Sequence, residues 1–384
     1  MKTQPTPQAR ERVVVATASV GAGHNQAAAA VVAGLAQALR PVEAEYLDAL
    51  ALVPWCFRLA YPGVYTLGVT RFPRIYGWSY RRLDRQRGPR RTVGERVRLW
   101  SESLFTGRLR GAFLARRPAL VVATHYLPMI AVSRLIARGA EHLRLMVVMT
   151  DYAPHRFWYG EHVERYFVAS DAVRLRLRDC GVDDARIMLT GIPVHPKWSA
   201  RLDRARILAD WGLPADRPII LLSGGTFFTV APVAEIARRM LDGSKAHVVA
   251  MAGTNKKLQA VLAAMPEAGR RLTIVPFTDR VHELAEVASV VVTKPGGLIT
   301  SECVARAAPM VLTRPVPGQE AANADLLVQE GAAVVAQTVE DLLGQVTGLI
   351  ESPETAAALS ANARRIYRPA TQTIADEIVQ ALDL

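Results

Sequence analysis

The chain has 384 residues, half of them hydrophobic and 21% charged, with 26 Gly and 23 Pro. That is enough for two or three domains with sizeable cores, and it fits neither a disordered chain nor a fibrous repeat. Three cysteines, Cys56, Cys180 and Cys303, stand far apart without a CxxC pair, which argues against a disulfide framework or a zinc site. The net charge of +12 is concentrated, because between Arg58 and Arg117 there are 15 Arg against only Asp84, Glu95 and Glu102.

In chain order, the first residues lack the apolar core of a secretory leader. Short β-branched runs then alternate with helix-length amphipathic stretches. Strands are expected at Arg12–Ala18, Val42–Leu47, Leu120–Ala123, Leu145–Thr150, Tyr166–Ala169 and Ile187–Thr190. A second series is expected at Ile219–Ser223, His247–Ala252, Leu272–Pro276, Ser289–Thr293, Met310–Thr313 and Ala332–Ala336. Nearly continuous Val/Ile/Leu strands separated by helices are the pattern of buried parallel strands in βαβ units. Two such sets predict an α/β protein with two Rossmann-like doubly wound domains facing a cleft. The most apolar stretch, Pro118–Val132, contains His125 and is too short to span a bilayer.

Two prolines and a glycine in Gly191-Ile192-Pro193-Val194-His195-Pro196 interrupt the pattern, so the hinge is expected at residues 193–203, ahead of a helix-like Ser199–Trp211. This divides the chain into residues 1–194, residues 195–368 and a terminal helix within 369–384. The basic segment also holds Tyr61, Tyr65, Phe72, Tyr76, Trp78, Tyr80, Trp100 and Phe105, just after Trp55 and Phe57. Arg interleaved with aromatics suits a nucleic acid, an anionic membrane surface, or an ordinary solvated face over core aromatics.

In open parallel sheets, ligands bind beyond the carboxyl ends of the strands, so chemistry is expected in the loops that follow strands. The first, Ser19-Val20-Gly21-Ala22-Gly23-His24-Asn25, runs into alanines that should open a helix, placing amides and a positive dipole end beside any anion. A dinucleotide fingerprint needs a further glycine where Gln26 stands, and Asp48 does not supply its acid cleanly. His24 is read as a general base or a polar cleft contact, against ordinary structural packing. After the fourth strand come Asp151, His155 and Trp158, a polar edge to an acceptor pocket or simply a capped helix start.

In the second half, Ser223-Gly224-Gly225-Thr226 lacks the Walker A spacing. Lys294-Pro295-Gly296-Gly297-Leu298-Ile299-Thr300-Ser301-Glu302 is sharper, since two glycines turn the chain and a helix begins with a carboxylate one turn in. That geometry offers amides to a diphosphate and an acid to ribose hydroxyls. Gln319, Glu320 and Asn323 follow the next strand.

The stretches TASVGAGHNQAA, TDYAPHRFW, ASDAVRLRLRDCGVDDARIMLTGIPVHPKW and TKPGGLITSECVARAAPMVLTRPVPGQEAANA resemble the diacylglycerol glycosyltransferases. That family comprises the plant monogalactosyldiacylglycerol synthases and the bacterial processive diacylglycerol glucosyltransferases. The resemblance spans about residues 12 to 365. It implies a GT-B fold with a UDP-glucose or UDP-galactose donor on the second domain. It also implies a diacylglycerol acceptor on the first, and inversion at the anomeric carbon.

By position, Gly296, Gly297, Leu298 and Ile299 would face the diphosphate and an ionised Glu302 the ribose. The backbone at Phe277 and Thr278 would face uracil, and Gln319, Glu320 and Asn323 the sugar and its phosphates. His24 would stand at the reacting centre, with Gly23, Ser223 and Gly224 on the donor side and Asp151, His155 and Trp158 on the acceptor side. The departure from the family is at 223–230, where Phe227 and Phe228 replace a more open loop.

The expected partners are UDP-hexose, diacylglycerol and an anionic membrane surface, with no nucleic acid. The expected location is peripheral, on the cytoplasmic face of the cell membrane. No DxD carboxylate pair is present, so no metal or other cofactor is expected to be required. The rival readings are a same-fold enzyme acting on a polyprenyl-linked precursor, a UDP-sugar epimerase, and a non-enzymatic binder of nucleotide sugars or nucleic acid.

Overall fold

Strands with side chains buried on both faces need helices above and below, and this requirement organises both halves of the chain. The structure, a computed structural model, describes residues 12–40, 42–60, 63, 71–72, 104–153, 155–223, 233–313 and 318–382. The first sheet contains β1 (Val13–Thr17), β2 (Ala44–Asp48), β3 (Leu120–Ala123), β4 (Leu145–Val148), β5 (Arg165–Val168) and β6 (Ile187–Leu189). The second contains β7 (Ile219–Ser223), β8 (His247–Gly253), β9 (Leu272–Pro276), β10 (Val290–Thr293), β11 (Met310–Thr313) and β12 (Ala333–Ala336). Every strand lies within two residues of its expected position.

The strand orders are β2-β1-β3-β4-β5-β6 and β12-β11-β10-β7-β8-β9, and all pairings are parallel. In the first sheet the order reverses between β1 and β3, and in the second between β7 and β10. Connections leave these neighbours in opposite directions, so a crevice opens beyond their carboxyl ends. The loops after β1 and β10 are the glycine loops noted in the sequence.

Helix α1 (Ala22–Gln37) starts at the first crevice and α2 (Tyr126–Ile136) follows β3. In the second half, α3 (Gly297–Ala305) starts at the switch point, and α4 (Gln319–Gln329) follows β11. The last helix, α5 (Ala370–Ala381), returns to the first half. There Ile374, Ala375 and Ile378 are wholly buried in one cluster with Val13, Val15, Val31 and Leu35. Gly34 makes that approach possible, because a Cβ there would come within 2.7 Å of Thr371 Cγ2 and 3.1 Å of its backbone oxygen. Thr371 Oγ1 donates to the Val194 carbonyl at 2.6 Å, and Arg144 Nη1 donates to that of Ala381 at 2.6 Å.

The expected hinge contains one short turn of 3-10 helix, Pro196–Trp198. The helix expected from Ser199 starts only at Arg204, because the Asp203 carboxylate caps it by accepting from the amides of Ala205 and Arg206. An apolar cluster runs across the seam, joining Ala27, Tyr152, Ile192, Val194 and Trp198 to Leu298, Val304 and Ala324. Among the described residues no helix is long and apolar enough to cross a membrane.

Candidate active site

His24 is the third residue of α1, at the carboxyl end of β1, and is partly exposed to the cleft. Its loop is braced from β2: the Asp48 carboxylate accepts from the Ser19 amide at 3.1 Å and from Ser19 Oγ at 2.7 Å. Asn25 Nδ2 donates to the same Ser19 hydroxyl at 2.9 Å. Asp48 therefore holds the loop in shape. His24 Nδ1 lies 3.1 Å from the Thr124 carbonyl and 2.8 Å from Thr150 Oγ1. The His125 ring meets it edge to face at 4.8 Å, and the Trp158 ring lies 6.3 Å away. Burial among these groups pushes the imidazole down to about 4, against a smaller opposing effect of the Thr124 carbonyl. His24 is thus neutral throughout the physiological range, the form a proton acceptor requires.

Across the seam, α3 begins at Gly296 and Gly297 with no side-chain cap, presenting the first turn of a nine-residue helix to the first half. Gly297 lies so close to the other half that a Cβ there would overlap the Thr150 carbonyl oxygen. The same Cβ would stand 3.2 Å from Ile192 Cδ1 and 3.3 Å from Asp151 Oδ1. Leu298 is nearly buried and faces Gly23, where a Cβ would contact its Cβ at 3.7 Å.

Asp151, read from the sequence as an acceptor-side group, is buried, and its carboxylate bonds to the side chains of Gln319 and Asn323 from the donor-side set. Desolvation raises it to about 6, with those two hydrogen bonds opposing the shift. Asn323 also accepts from the Tyr152 amide at 3.1 Å and donates to the Pro295 carbonyl at 3.1 Å. Ser301 Oγ donates to the Gly297 carbonyl at 2.7 Å, which leaves the Tyr152 hydroxyl to donate to Ser301 at 2.6 Å. Asp151 and Tyr152 therefore tie the two halves together at the head of α3. Gly318, with φ of 114°, adopts a backbone conformation suited to glycine and sets the start of α4.

Other candidates are placed as follows. Trp158 is buried beside His24. His155 is buried, but its Nδ1 accepts from the Phe157 amide at 3.1 Å, and its ring packs on Phe157 at 4.1 Å. It caps the short helix Arg156–Trp158, the bland alternative left open by the sequence. Ser223 closes β7 beside β10, while Gly224 and the paired phenylalanines lie outside the described residues. Phe277 is 75% exposed just after β9, and Thr278 Oγ1 accepts from the Arg280 amide at 3.1 Å. Ile299 sits in the first turn of α3, and Glu320 pairs with Lys294 at 2.8 Å.

Glu302 is half-buried on α3, near Lys197 and hydrogen-bonded to the Trp198 side chain. Desolvation outweighs both and pushes its carboxyl up to about 8. An ionised Glu302 was the expectation, but at pH 7 the group is mostly protonated. A ribose contact from it is then a neutral hydrogen bond, contributing about 0.5–1.5 kcal/mol. Glu302→Ala is expected to weaken UDP binding by that amount at pH 7, and by more at pH 9, where the carboxylate accepts as an ion. Calorimetry at both values checks this; a loss that does not grow with pH removes Glu302 from the ribose contact.

Thr124, His125 and Thr150 were not singled out as site residues. Their signal is positional: each lies within two residues of the carboxyl end of a strand that borders or neighbours the switch point.

Two parallel doubly wound halves, with glycine-opened helices at both switch points facing one seam, define a protein of the GT-B type. The comparisons sharpen that class. Residues 24–194 match the family described as monogalactosyldiacylglycerol (MGDG) synthase, and residues 223–378 match the glycosyltransferase family 28 C-terminal domain. The first half is thus similar to the monogalactosyldiacylglycerol synthases and the second to the family 28 glycosyltransferases. It is 28% identical over 395 aligned residues to the processive diacylglycerol beta-glucosyltransferase of Bacillus pumilus, covering 97% of this chain and 96% of that one.

Among solved structures, it superposes on S. aureus MnaA with UDP at a TM-score of 0.64 and 14% identity, covering 97% of both chains. It also superposes on the Neisseria meningitidis UDP-GlcNAc 2-epimerase bound to UDP-GlcNAc at a TM-score of 0.61 and 11% identity. That match covers 97% of this chain and 99% of the other. At these identities the two structures establish the shared fold.

Proposed function

We propose that this protein transfers a hexose from UDP-glucose or UDP-galactose to the hydroxyl of diacylglycerol, with inversion. The near full-length likeness to a processive diacylglycerol beta-glucosyltransferase carries the reading and makes glucose the first donor to test. The first half, taken as residues 1–194, supplies the acceptor side and residues 195–368 the donor side, with the last helix bridging back to the first half. The acceptor hydroxyl attacks C1 opposite the diphosphate, and His24 accepts its proton. Amides in the first turn of α3 and the helix dipole stabilise the charge growing on the departing diphosphate. The reaction is read as requiring no resident metal.

The test is purified protein with radiolabelled UDP-glucose or UDP-galactose and diacylglycerol in mixed micelles, followed by chromatography of the lipids. Label in a glycolipid supports the reading. Conversion of the UDP-sugar without lipid points to an epimerase, and retention of UDP-hexose without turnover points to a binding protein.

The acceptor is insoluble in water, so the enzyme has to work at a membrane surface, here read as the cytoplasmic face. Trp55 and Leu59, each 74% exposed and one helical turn apart, flank Arg58 at the start of the basic segment. Such an exposed apolar and cationic combination suits anionic lipid. Arg81, Arg82, Arg85 and Arg87, with Tyr76 and Trp78, lie outside the described residues. Changing those four Arg to Gln is expected to weaken binding to anionic vesicles at low salt by up to about 1 kcal/mol each, with UDP affinity unchanged. Equal pelleting of the wild type with neutral and anionic vesicles would sink the electrostatic docking idea, and salt-sensitive binding to RNA or DNA would favour nucleic acid instead.

A further inference from the structure

A histidine that accepts a proton must present an unprotonated nitrogen to the reacting hydroxyl. Free neutral imidazole has two tautomers, so an enzyme has to select one by what it places at the other nitrogen. At His24 that selection is visible. The Thr124 carbonyl, 3.1 Å from Nδ1, can only accept, so the proton belongs on Nδ1. Thr150 Oγ1, 2.8 Å from the same atom, then receives the second branch of a three-centre hydrogen bond. The Thr124 hydroxyl adds a third tie, donating to the His24 carbonyl at 3.1 Å. Both threonines are buried, and no described residue hydrogen-bonds Nε2.

We propose that Thr150, with the main-chain carbonyl of Thr124, is the positioning residue for His24, holding the ring with Nδ1 protonated and Nε2 open as the proton acceptor. The inference rests on the reading of His24 as the base. Histidine bases are commonly oriented by a carboxylate, whose charge also stabilises the imidazolium. Here the orienters are neutral. The titratable ring that faces His24 is His125, which itself caps α2 by accepting from the Leu127 amide at 3.1 Å.

The same residue connects the base to the donor side. The Thr150 carbonyl oxygen abuts Gly297, the first residue of α3, so its hydroxyl contacts the base and its backbone contacts the proposed diphosphate loop. One residue thus joins the base to the head of α3.

The test uses the full-length protein and has an arm independent of catalysis. Nitrogen-15 spectra of histidine-labelled protein, with His24 assigned from the His24→Gln spectrum, should show a protonated Nδ1 and an unprotonated Nε2 at pH 7. Thr150→Val, which keeps the shape and removes the hydroxyl, should shift that ring toward a mixture of tautomers. Its kcat is expected to fall about two- to tenfold, the size of one neutral hydrogen bond, with the KM for UDP-hexose and the Tm unchanged. Thr150→Ser should restore kcat to within about twofold of wild type.

A wild-type His24 carrying its proton on Nε2 overturns the proposal, as does a Thr150→Val enzyme with wild-type kcat. Equal losses in the Val and Ser variants also overturn it, because they indicate packing alone. Absence of any hexose transfer by the wild type counts against the proposed function, while the spectra still decide the tautomer.

Discussion

Replacing His24 with alanine is expected to slow hexose transfer by about 10²-fold or more, the lower end of what a positioned general base contributes, while UDP binding stays nearly unchanged. The geometry supports that separation. His24 is held by Thr124 and Thr150 and packed against His125 and Trp158, all in the first half. The groups placed around the donor, Gly23 apart, belong to the second half. Steady-state kcat and calorimetry with UDP make the comparison, and His24→Gln serves as a polar control for folding. A mutant with wild-type kcat would reduce His24 to a packing residue and make Asp151 the next candidate. His155 no longer competes, since its ring is committed to the Phe157 amide.

The second large effect belongs to Gly297. A methyl group there would meet the Thr150 carbonyl, a backbone atom that cannot swing aside, together with Ile192 and Asp151. Gly297→Ala is therefore expected to force the halves apart at the head of α3. Overpacking of this kind costs about 1–3 kcal/mol, corresponding to roughly 5- to 150-fold in UDP affinity if binding requires the seated arrangement. Because Thr150 also bonds His24, kcat should fall as well. Gly296→Ala is the control: its Cβ would meet only Ile299, at an ordinary 3.5 Å, so the fold should be retained. Calorimetry with UDP, and solution scattering for the separation of the halves, report the outcome. A Gly297→Ala protein with wild-type affinity and scattering would show that the close contact is not needed for donor binding.

Much of the architecture was legible in the linear sequence because it rests on short-range regularities. Buried parallel strands are continuous apolar runs, so β1, β3, β7, β9 and β11 could be placed from runs such as Leu120–Ala123 and Met310–Thr313. Glycines after strands marked both switch-point loops, and at Gly297 the close approach of the Thr150 carbonyl leaves no room for a Cβ. Local capping was harder to read. Asp203 outcompetes the expected helix start at Ser199, and His155 uses its ring nitrogen on its own turn, outcomes set by competition among neighbouring polar groups.

Contacts between distant segments required the tertiary structure. Nothing in the spacing of Asp151 and Gln319 says that the first reaches across to the second, or that burial raises Asp151 to about 6 and Glu302 to about 8. The clamp on His24 joins residues 100 and 126 positions away in the chain, and the return of α5 to the first sheet depends on Gly34 facing Thr371. The sequence by itself determined the two α/β halves, their glycine loops and the resemblance to the diacylglycerol glycosyltransferases, because each is written in local pattern or contiguous motif. Tertiary packing decided which side chains share a site and in what protonation state, because desolvation and hydrogen bonding depend on neighbours brought together only by folding.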